Sequence, residues 1–268
     1  MISVIIPVYN AEESILRALN SVKNQTAAES FEIITVNDGS TDKSRQIIEN
    51  FKAENKDLNL IIIDQQNAGV SAARNAAMKI AKGSHLAFLD ADDEWLPEKT
   101  AKQMHIFHNA GFPVDFLATR RVNHVLKYPY TDFRNNLSAV TFRKLMFRNE
   151  AQPSTVILKR EILDNTGYFD GGQKYGEDIN YWLKISEKDK MYILNEELVF
   201  AGGGKRSFGI SGLSANLKEM EKGFQKNLRE MLRLNRISKT EYHCYRFFYQ
   251  LKYVARVCRH KYLKQKGK

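Results

Sequence analysis

Phe31-Glu32-Ile33-Ile34-Thr35-Val36-Asn37-Asp38-Gly39-Ser40-Thr41-Asp42 is the stretch that decides the fold. Ile33-Ile34 sits in an apolar run without polar alternation, the pattern of a strand buried on both faces. The run ends in small and polar residues, and Asp42 to Glu54 then follows a helical period. The same unit recurs on either side: Ser3 to Pro7 then Glu12 to Asn24, Leu60 to Asp64 then Val70 to Ala81, and finally His85 to Leu89. Val4-Ile5-Ile6 and Ile61-Ile62-Ile63 are likewise continuous apolar runs. Strand and helix in alternation predict an α/β fold, a parallel sheet with helices on both faces. Ligands of such sheets bind beyond the carboxyl ends of the strands.

Four of those ends are polar or small: Pro7-Val8-Tyr9-Asn10, Asn37-Asp38-Gly39-Ser40, Asn67-Ala68-Gly69 and Asp90-Ala91-Asp92-Asp93. They are expected to converge on one rim. Three carboxylates within Asp90 to Asp93 repel one another and need compensation. Mg²⁺ or Mn²⁺ supplies it while taking further ligands from water and substrate phosphates. The same acids, placed before Trp95-Leu96-Pro97-Glu98, also suit a helix N-terminus. Asp38 beside Gly39 suits the N–H of a flat base such as uracil, with Ser40 or Thr41 capping the next helix. Tyr9 either walls that base or lies in the core. Arg74, in the second turn of a helix entered from Gly69, either faces the rim, to offset the acids or position a nucleotide, or is a solvated surface arginine.

The 268 residues are 43% hydrophobic, enough for one large domain or one domain with an appendage. Past Leu96 the pattern loosens: Thr155 to Leu158 reads as a further strand, Gly167 to Gly172 as a turn, and Gly202-Gly203-Gly204 as a flexible joint. The net charge of +10 is unevenly placed, since Lys205 to Lys268 hold 17 Lys and Arg against 4 Asp and Glu, while residues 1–204 hold 24 against 27. A near-neutral body with a basic tail points to a local anionic contact such as a membrane face, and not to nucleic acid. Beyond Leu217 the period is helical, with a stripe at Cys244, Phe247, Phe248, Leu251, Val254, Cys258 and Tyr262. Laid on a membrane, it would bury Phe248, Tyr249 and Leu251 and set Arg246, Lys252 and Arg256 against anionic lipid; the competing expectation is a helical appendage packed on the domain. Met1 to Val8 is short, lacks a basic leader and runs into Pro7, so it reads as a buried strand and not a signal peptide. No segment approaches the roughly 20 apolar residues of a membrane span. The expected location is the cytoplasm, with the tail on the inner face of the membrane. Cys244 and Cys258 lie on one predicted helix, too far apart for a disulfide.

Taken in order, Pro-Val-Tyr-Asn, Asn-Asp-Gly-Ser-Thr, Asn-x-Gly-x-Ser-x-Ala-Arg-Asn, Asp-Ala-Asp-Asp, Gly-Tyr-Phe-Asp at Gly167 to Asp170 and Gly-Glu-Asp at Gly176 to Asp178 resemble the family 2 inverting glycosyltransferases. The resemblance runs from Ile2 to about Leu183. It implies a single type A glycosyltransferase domain, a Rossmann-like, mostly parallel sheet flanked by helices, here over residues 1–215, with a helical basic extension over 216–268. It also implies roles. Asp178 would be the catalytic base, carried by the helix containing Tyr181-Trp182-Leu183, and Asp92 the ligand of Mn²⁺ or Mg²⁺. Asp38 would touch the base and Asp90 the ribose side. The nucleotide-sugar site would further include Pro7, Tyr9, Asn67, Arg74, Ala91, Glu177, Lys205 and Arg206, the last two as a lid. Gly171-Gly172 stand where the family often has another acid after Asp170, a departure that touches acceptor contacts.

The implied reaction moves a sugar, with inversion, from a nucleotide diphosphate to a hydroxyl of a glycan or lipid-linked acceptor, in surface polysaccharide assembly by analogy with the family. UDP is the preferred nucleotide, although TDP and GDP also carry a donor N–H. Pro7-Val8-Tyr9-Asn10 is not the Gly-rich phosphate loop of a nucleotidyltransferase. The alternative is a nucleotide-binding or membrane-associated protein without turnover. Sugar identity rests on side chains between Trp95 and Gln152.

Overall fold

The computed structural model describes residues 1–202 and 215–265, the side chains of the last two excepted. Lys205, Arg206 and the glycines at 203 and 204 lie outside the described residues.

Three strand–helix units open the chain: β1 (Ile2–Val8), α1 (Ile15–Lys23), β2 (Phe31–Asp38), α2 (Ser44–Glu54), β3 (Asn59–Gln65) and α3 (Val70–Ile80), with β4 (His85–Phe88) closing the series. They form the parallel block β3-β2-β1-β4. Alternate residues of β1 serve opposite faces: Val4, Ile6 and Val8 join Ile15, Leu19 and Ile48 of α1 and α2, whereas Ile5 joins Ala73 and Ala77 of α3. That double burial is why these strands carry no polar alternation.

The chain continues through β5 (Glu94–Trp95), α4 (Lys99–Asn109), β6 (Phe116–Arg121), β7 (Leu137–Val140), α5 (Phe142–Phe147), a 3₁₀ turn (Pro153–Thr155), β8 (Ile157–Lys159), α6 (Ile162–Thr166), α7 (Glu177–Ile185) and β9 (Met191–Phe200). The sheet reads β3-β2-β1-β4-β8-β6-β9-β5, with β7 also on β9. Beyond β4 it becomes mixed, since β8 runs antiparallel to β4 and β6, and β9 is parallel to β6 alone. The predicted strand at Thr155 begins two residues later, because Pro153 opens a 3₁₀ turn there.

Two helices end the described chain, α8 (Leu217–Arg233) and α9 (Lys239–Gln265). Helix α8 packs behind α7: Asn227 donates to Gly176 O at 2.8 Å and accepts from Gln173 and Asn180, and a Cβ on Gly223 would stand 2.2 Å from Tyr175 O. Helix α9 rests on α5 and α8 by a face that takes only Phe248 from the sequence stripe, its ring stacked on Phe147 with centroids 5.0 Å apart. Tyr249 is buried and its hydroxyl donates to Met146 O at 2.7 Å; Lys252 Nζ donates to Phe147 O at 2.9 Å; Arg256 pairs with Glu221 at 3.0 Å. The membrane arrangement expected for Phe248, Tyr249, Lys252 and Arg256 is therefore overturned. Their ring and methylene stems bury like apolar groups while their polar tips reach partners. The cysteines are free and exposed.

Candidate active site

A cleft of about 1000 Å³ opens at the carboxyl ends of β1, β2, β3 and β4. Pro7, Tyr9, Asp38, Asn67, Arg74, Asp90, Ala91, Asp92, Glu177 and Asp178 all line it, so the expected convergence is real; Lys205 and Arg206 lie outside the described residues. Tyr9 is 54% exposed, which makes it a cleft wall and not a core ring.

The loops after β1 and β2 are tied together. Asn10 N donates to Ser40 Oγ, Thr41 N donates to Asn10 Oδ1 at 2.8 Å, and Glu12 N donates to Asp42 Oδ2. Ser40 and Thr41 are thus spent across loops, and neither caps α2, which starts later, at Ser44, whose N–H donates to Asp42 Oδ1. Asp38 is buried and accepts from Ala68 N at 2.8 Å, Gly69 N at 2.9 Å and Gln65 Nε2 at 2.6 Å. A carboxylate has about four acceptor positions, so about one is left for a ligand. Gly39 holds φ +71°, and a Cβ there would meet Asn67 N at 2.9 Å. The close approach that Gly39 permits is that of the Asn67 loop.

The acids after β4 have three different surroundings. Asp90 Oδ1 accepts from Arg74 Nη2 at 2.7 Å. Asp93 is buried, and its Oδ1 accepts from Gly202 N at 2.6 Å. Burial first, and then the neighbouring Asp90, push the Asp93 carboxyl up to about 7. Asp92 is exposed on the cleft. The helix-start expectation for these acids is overturned, because Glu94 and Trp95 form β5 and α4 begins only at Lys99. Among the described residues no three His, Cys, Asp or Glu side chains gather into a complete metal site. An exposed carboxylate on the cleft, Asp92, is the kind of oxygen donor that a hard divalent ion takes when a substrate's phosphates supply further ligands.

Arg74 is 2% exposed and bridges two elements, reaching Asp90 from Nη2 and Glu177 Oε1 from Nη1 at 3.0 Å. Although burial disfavours its charge, the two carboxylates outweigh that cost and raise its pKa. This guanidinium fixes the start of α7 against the end of β4. Gly176, in the left-handed region at φ +66°, turns the chain into α7, whose first residues are Glu177 and Asp178. Asp178 is half-buried, and Asn149 Nδ2 donates to its Oδ2 at 2.9 Å. Desolvation and then the adjacent Glu177 carry its pKa from 3.8 to about 7. A carboxyl so placed can take a proton near neutral pH from a group in the cleft.

Residues 3–207 match the family model described as Glycosyl transferase family 2. The chain belongs to that family. This family 2 glycosyltransferase is 30% identical over 197 residues to an uncharacterized glycosyltransferase of Rickettsia bellii, covering 74% of the chain but only 28% of that relative's length. It is 31% identical over 198 residues to the Escherichia coli UDP-Glc:alpha-D-GlcNAc-diphosphoundecaprenol beta-1,3-glucosyltransferase WfaP, covering 70% of the chain and 71% of the relative. Its fold is that of S. aureus TarS residues 1–349, solved in complex with UDP-GlcNAc, with a TM-score of 0.71 at 23% identity over 93% of the chain and 71% of that 1–349 chain.

The cleft of this family 2 glycosyltransferase also holds residues that the sequence did not single out. Ser154 Oγ accepts from Asp90 N at 3.0 Å, and Ser154 O accepts from Trp95 Nε1 at 2.7 Å. Arg121, Gln152 and Gln173 line the cleft, and Asn149 holds Asp178. All five come from the segment after Leu96, where no strand–helix rhythm marks which side chains turn inward. The one available signal was Pro153, which announces an irregular turn beside the acids.

Proposed function

We propose that this glycosyltransferase transfers a hexose, with inversion, from a UDP-sugar to a hydroxyl of a glycan or lipid-linked acceptor in surface polysaccharide assembly. The observation that carries the reading is Asp178: a carboxyl on the cleft wall, held through one oxygen by Asn149 and poised near 7. The acceptor hydroxyl attacks the anomeric carbon from the face opposite the nucleotide, its proton passes to Asp178, and the bond to the diphosphate breaks with its electron pair leaving on phosphate oxygen. Glu177 is tied up by Arg74, which leaves Asp178 as the base. Tyr9 stacks on the uracil, and the remaining acceptor position of Asp38 takes its N–H. Asp92 and the donor's phosphates would hold Mn²⁺ or Mg²⁺, and such an ion supplies neutralisation of charge building on the departing diphosphate. The relatives support this choice of substrates: WfaP is named for UDP-Glc and a diphosphoundecaprenol acceptor, and the TarS fold was solved with UDP-GlcNAc.

Calorimetric titration of UDP, TDP and GDP, with Mn²⁺ present and then chelated, tests the donor half. Metal-dependent binding of UDP above the others is the expected result. Binding of none of the three under either condition would sink the reading.

A further inference from the structure

Helix α9 has two unlike faces. Its inner face carries Tyr242, Tyr245, Tyr249, Lys252 and Arg256, whose spacing of three and four residues keeps them in line over α5 and α8. The outer face repeats the same spacing with Cys244, Phe247, Leu251, Val254 and Cys258. Phe247, Leu251 and Val254 are 62%, 54% and 57% exposed. The stripe runs for about 20 Å at about 1.5 Å per residue. Single exposed apolar side chains are ordinary, but a continuous row opposite an already packed face marks a contact surface.

The charges on the helix say what kind of surface covers it. Among the described side chains of α9 the only acid is Glu241, and it is engaged by Arg143 at 2.9 Å. Arg246, Arg259, His260 and Lys261 are exposed. A second copy joined through this face would set cations against cations with no acid to answer them. An anionic bilayer answers them and accepts the apolar row at headgroup depth. No helix among the described residues is long and apolar enough to cross a membrane, so the contact lies along the surface.

We infer that the outer face of α9, from Cys244 to Cys258, lies on an anionic lipid surface, with Phe247, Leu251 and Val254 entering the headgroup layer and Arg246, Arg259 and Lys261 meeting lipid phosphates. The inference is independent of which donor or acceptor the cleft takes, because nothing in the cleft contributes to it.

Flotation of the full chain with vesicles of phosphatidylcholine alone, and of phosphatidylcholine with phosphatidylglycerol, tests it at low and high salt. The chain floats with the anionic vesicles at low salt, and high salt weakens this. The double variant Phe247→Gln/Leu251→Gln and the double variant Arg246→Glu/Arg259→Glu each lose roughly tenfold or more in partitioning. Both keep the wild-type melting temperature and UDP binding, since all four side chains are exposed. Failure to float with anionic vesicles overturns the inference. So does flotation that neither variant weakens, or sedimentation that finds a dimer which Phe247→Gln/Leu251→Gln dissolves.

Discussion

Asn149 Nδ2 lies 2.9 Å from Asp178 Oδ2 and donates to it, while Asn149 Oδ1 accepts from Ala151 N at 3.0 Å. Ala151 O in turn accepts from Trp182 Nε1 at 2.9 Å, one turn along the helix that carries Asp178. The loop and the helix therefore hold the carboxylate from outside the cleft. An amide donor favours the ionised form, so its removal raises the pKa of Asp178 further. Asn149→Ala is expected to move the acid limb of the kcat/KM profile upward by about half to one pH unit and to lower kcat about tenfold. UDP affinity stays unchanged. A pH–rate series decides it, and an unmoved limb with a normal kcat would leave Asn149 a loop-packing residue only.

The same carboxyl sets a pH dependence of stability. Its pKa is raised from 3.8 to about 7, so between those values the folded chain holds a proton that the unfolded chain has released. Stability from this group is present at low pH and is lost as pH rises through about 7. Asp178→Asn removes that loss, and its melting temperature at about pH 8 is expected to exceed wild type by about 2–4 °C. The gain shrinks toward pH 4. A gain of equal size at both ends, measured by thermal melts, would contradict the assignment.

Arg74 has no equivalent replacement. Its fork serves Asp90 and Glu177 together from a buried position. Arg74→Ala leaves two carboxylates without their cation and is expected to cost about 3–5 kcal/mol in urea unfolding. Arg74→Lys recovers little, because one ammonium cannot span both partners in the same geometry.

Neighbouring acids separate by function. Asp92→Ala is expected to weaken Mn²⁺-dependent UDP binding by about tenfold or more and to lower the melting temperature less than Asp93→Ala does, since Asp92 is exposed and Asp93 buried. Asp93→Ala removes the acceptor for Gly202 N and lowers the melting temperature. Calorimetry and thermal melts on the two variants check the pair; equal effects on both readouts would mean that the acids act as one cluster.

Much of this is legible in the sequence. Continuous apolar runs at Val4-Ile5-Ile6 and Ile33-Ile34 announced strands buried on both sides, and their polar ends announced the rim. The local pattern carried that information because each strand and helix packs on its sequence neighbours. What it could not carry was partnership across distance. Asp38 read as a ligand for a base, yet most of its capacity holds the loop at Asn67 to Gly69, about thirty residues on. Arg74 gave no hint of Glu177, which joins it from 103 positions away. In α9 the apolar stripe suits a membrane face or a packing face equally, whereas the Tyr249 hydroxyl and the long stem of Lys252 find partners on α5 and leave Phe247, Leu251 and Val254 outward.

Gly39 is a case where backbone geometry supplies its own test. With φ at +71° and Asn67 N 2.9 Å from where a Cβ would stand, Gly39→Ala is expected to destabilise the fold by about 1–3 kcal/mol and to loosen the Asn67 loop. Weaker UDP binding should accompany the lower urea midpoint. An alanine variant with the wild-type midpoint would mean that the loop yields easily.

The most direct test pairs binding with turnover in one variant. UDP release from a panel of UDP-sugars, with acceptor present, is measured for the wild type and for Asp178→Asn, alongside calorimetric UDP binding for both. The expected result is a variant that binds UDP as the wild type does and transfers no sugar. Transfer near the wild-type rate by Asp178→Asn would contradict the account, and the base would have to be sought elsewhere in the cleft.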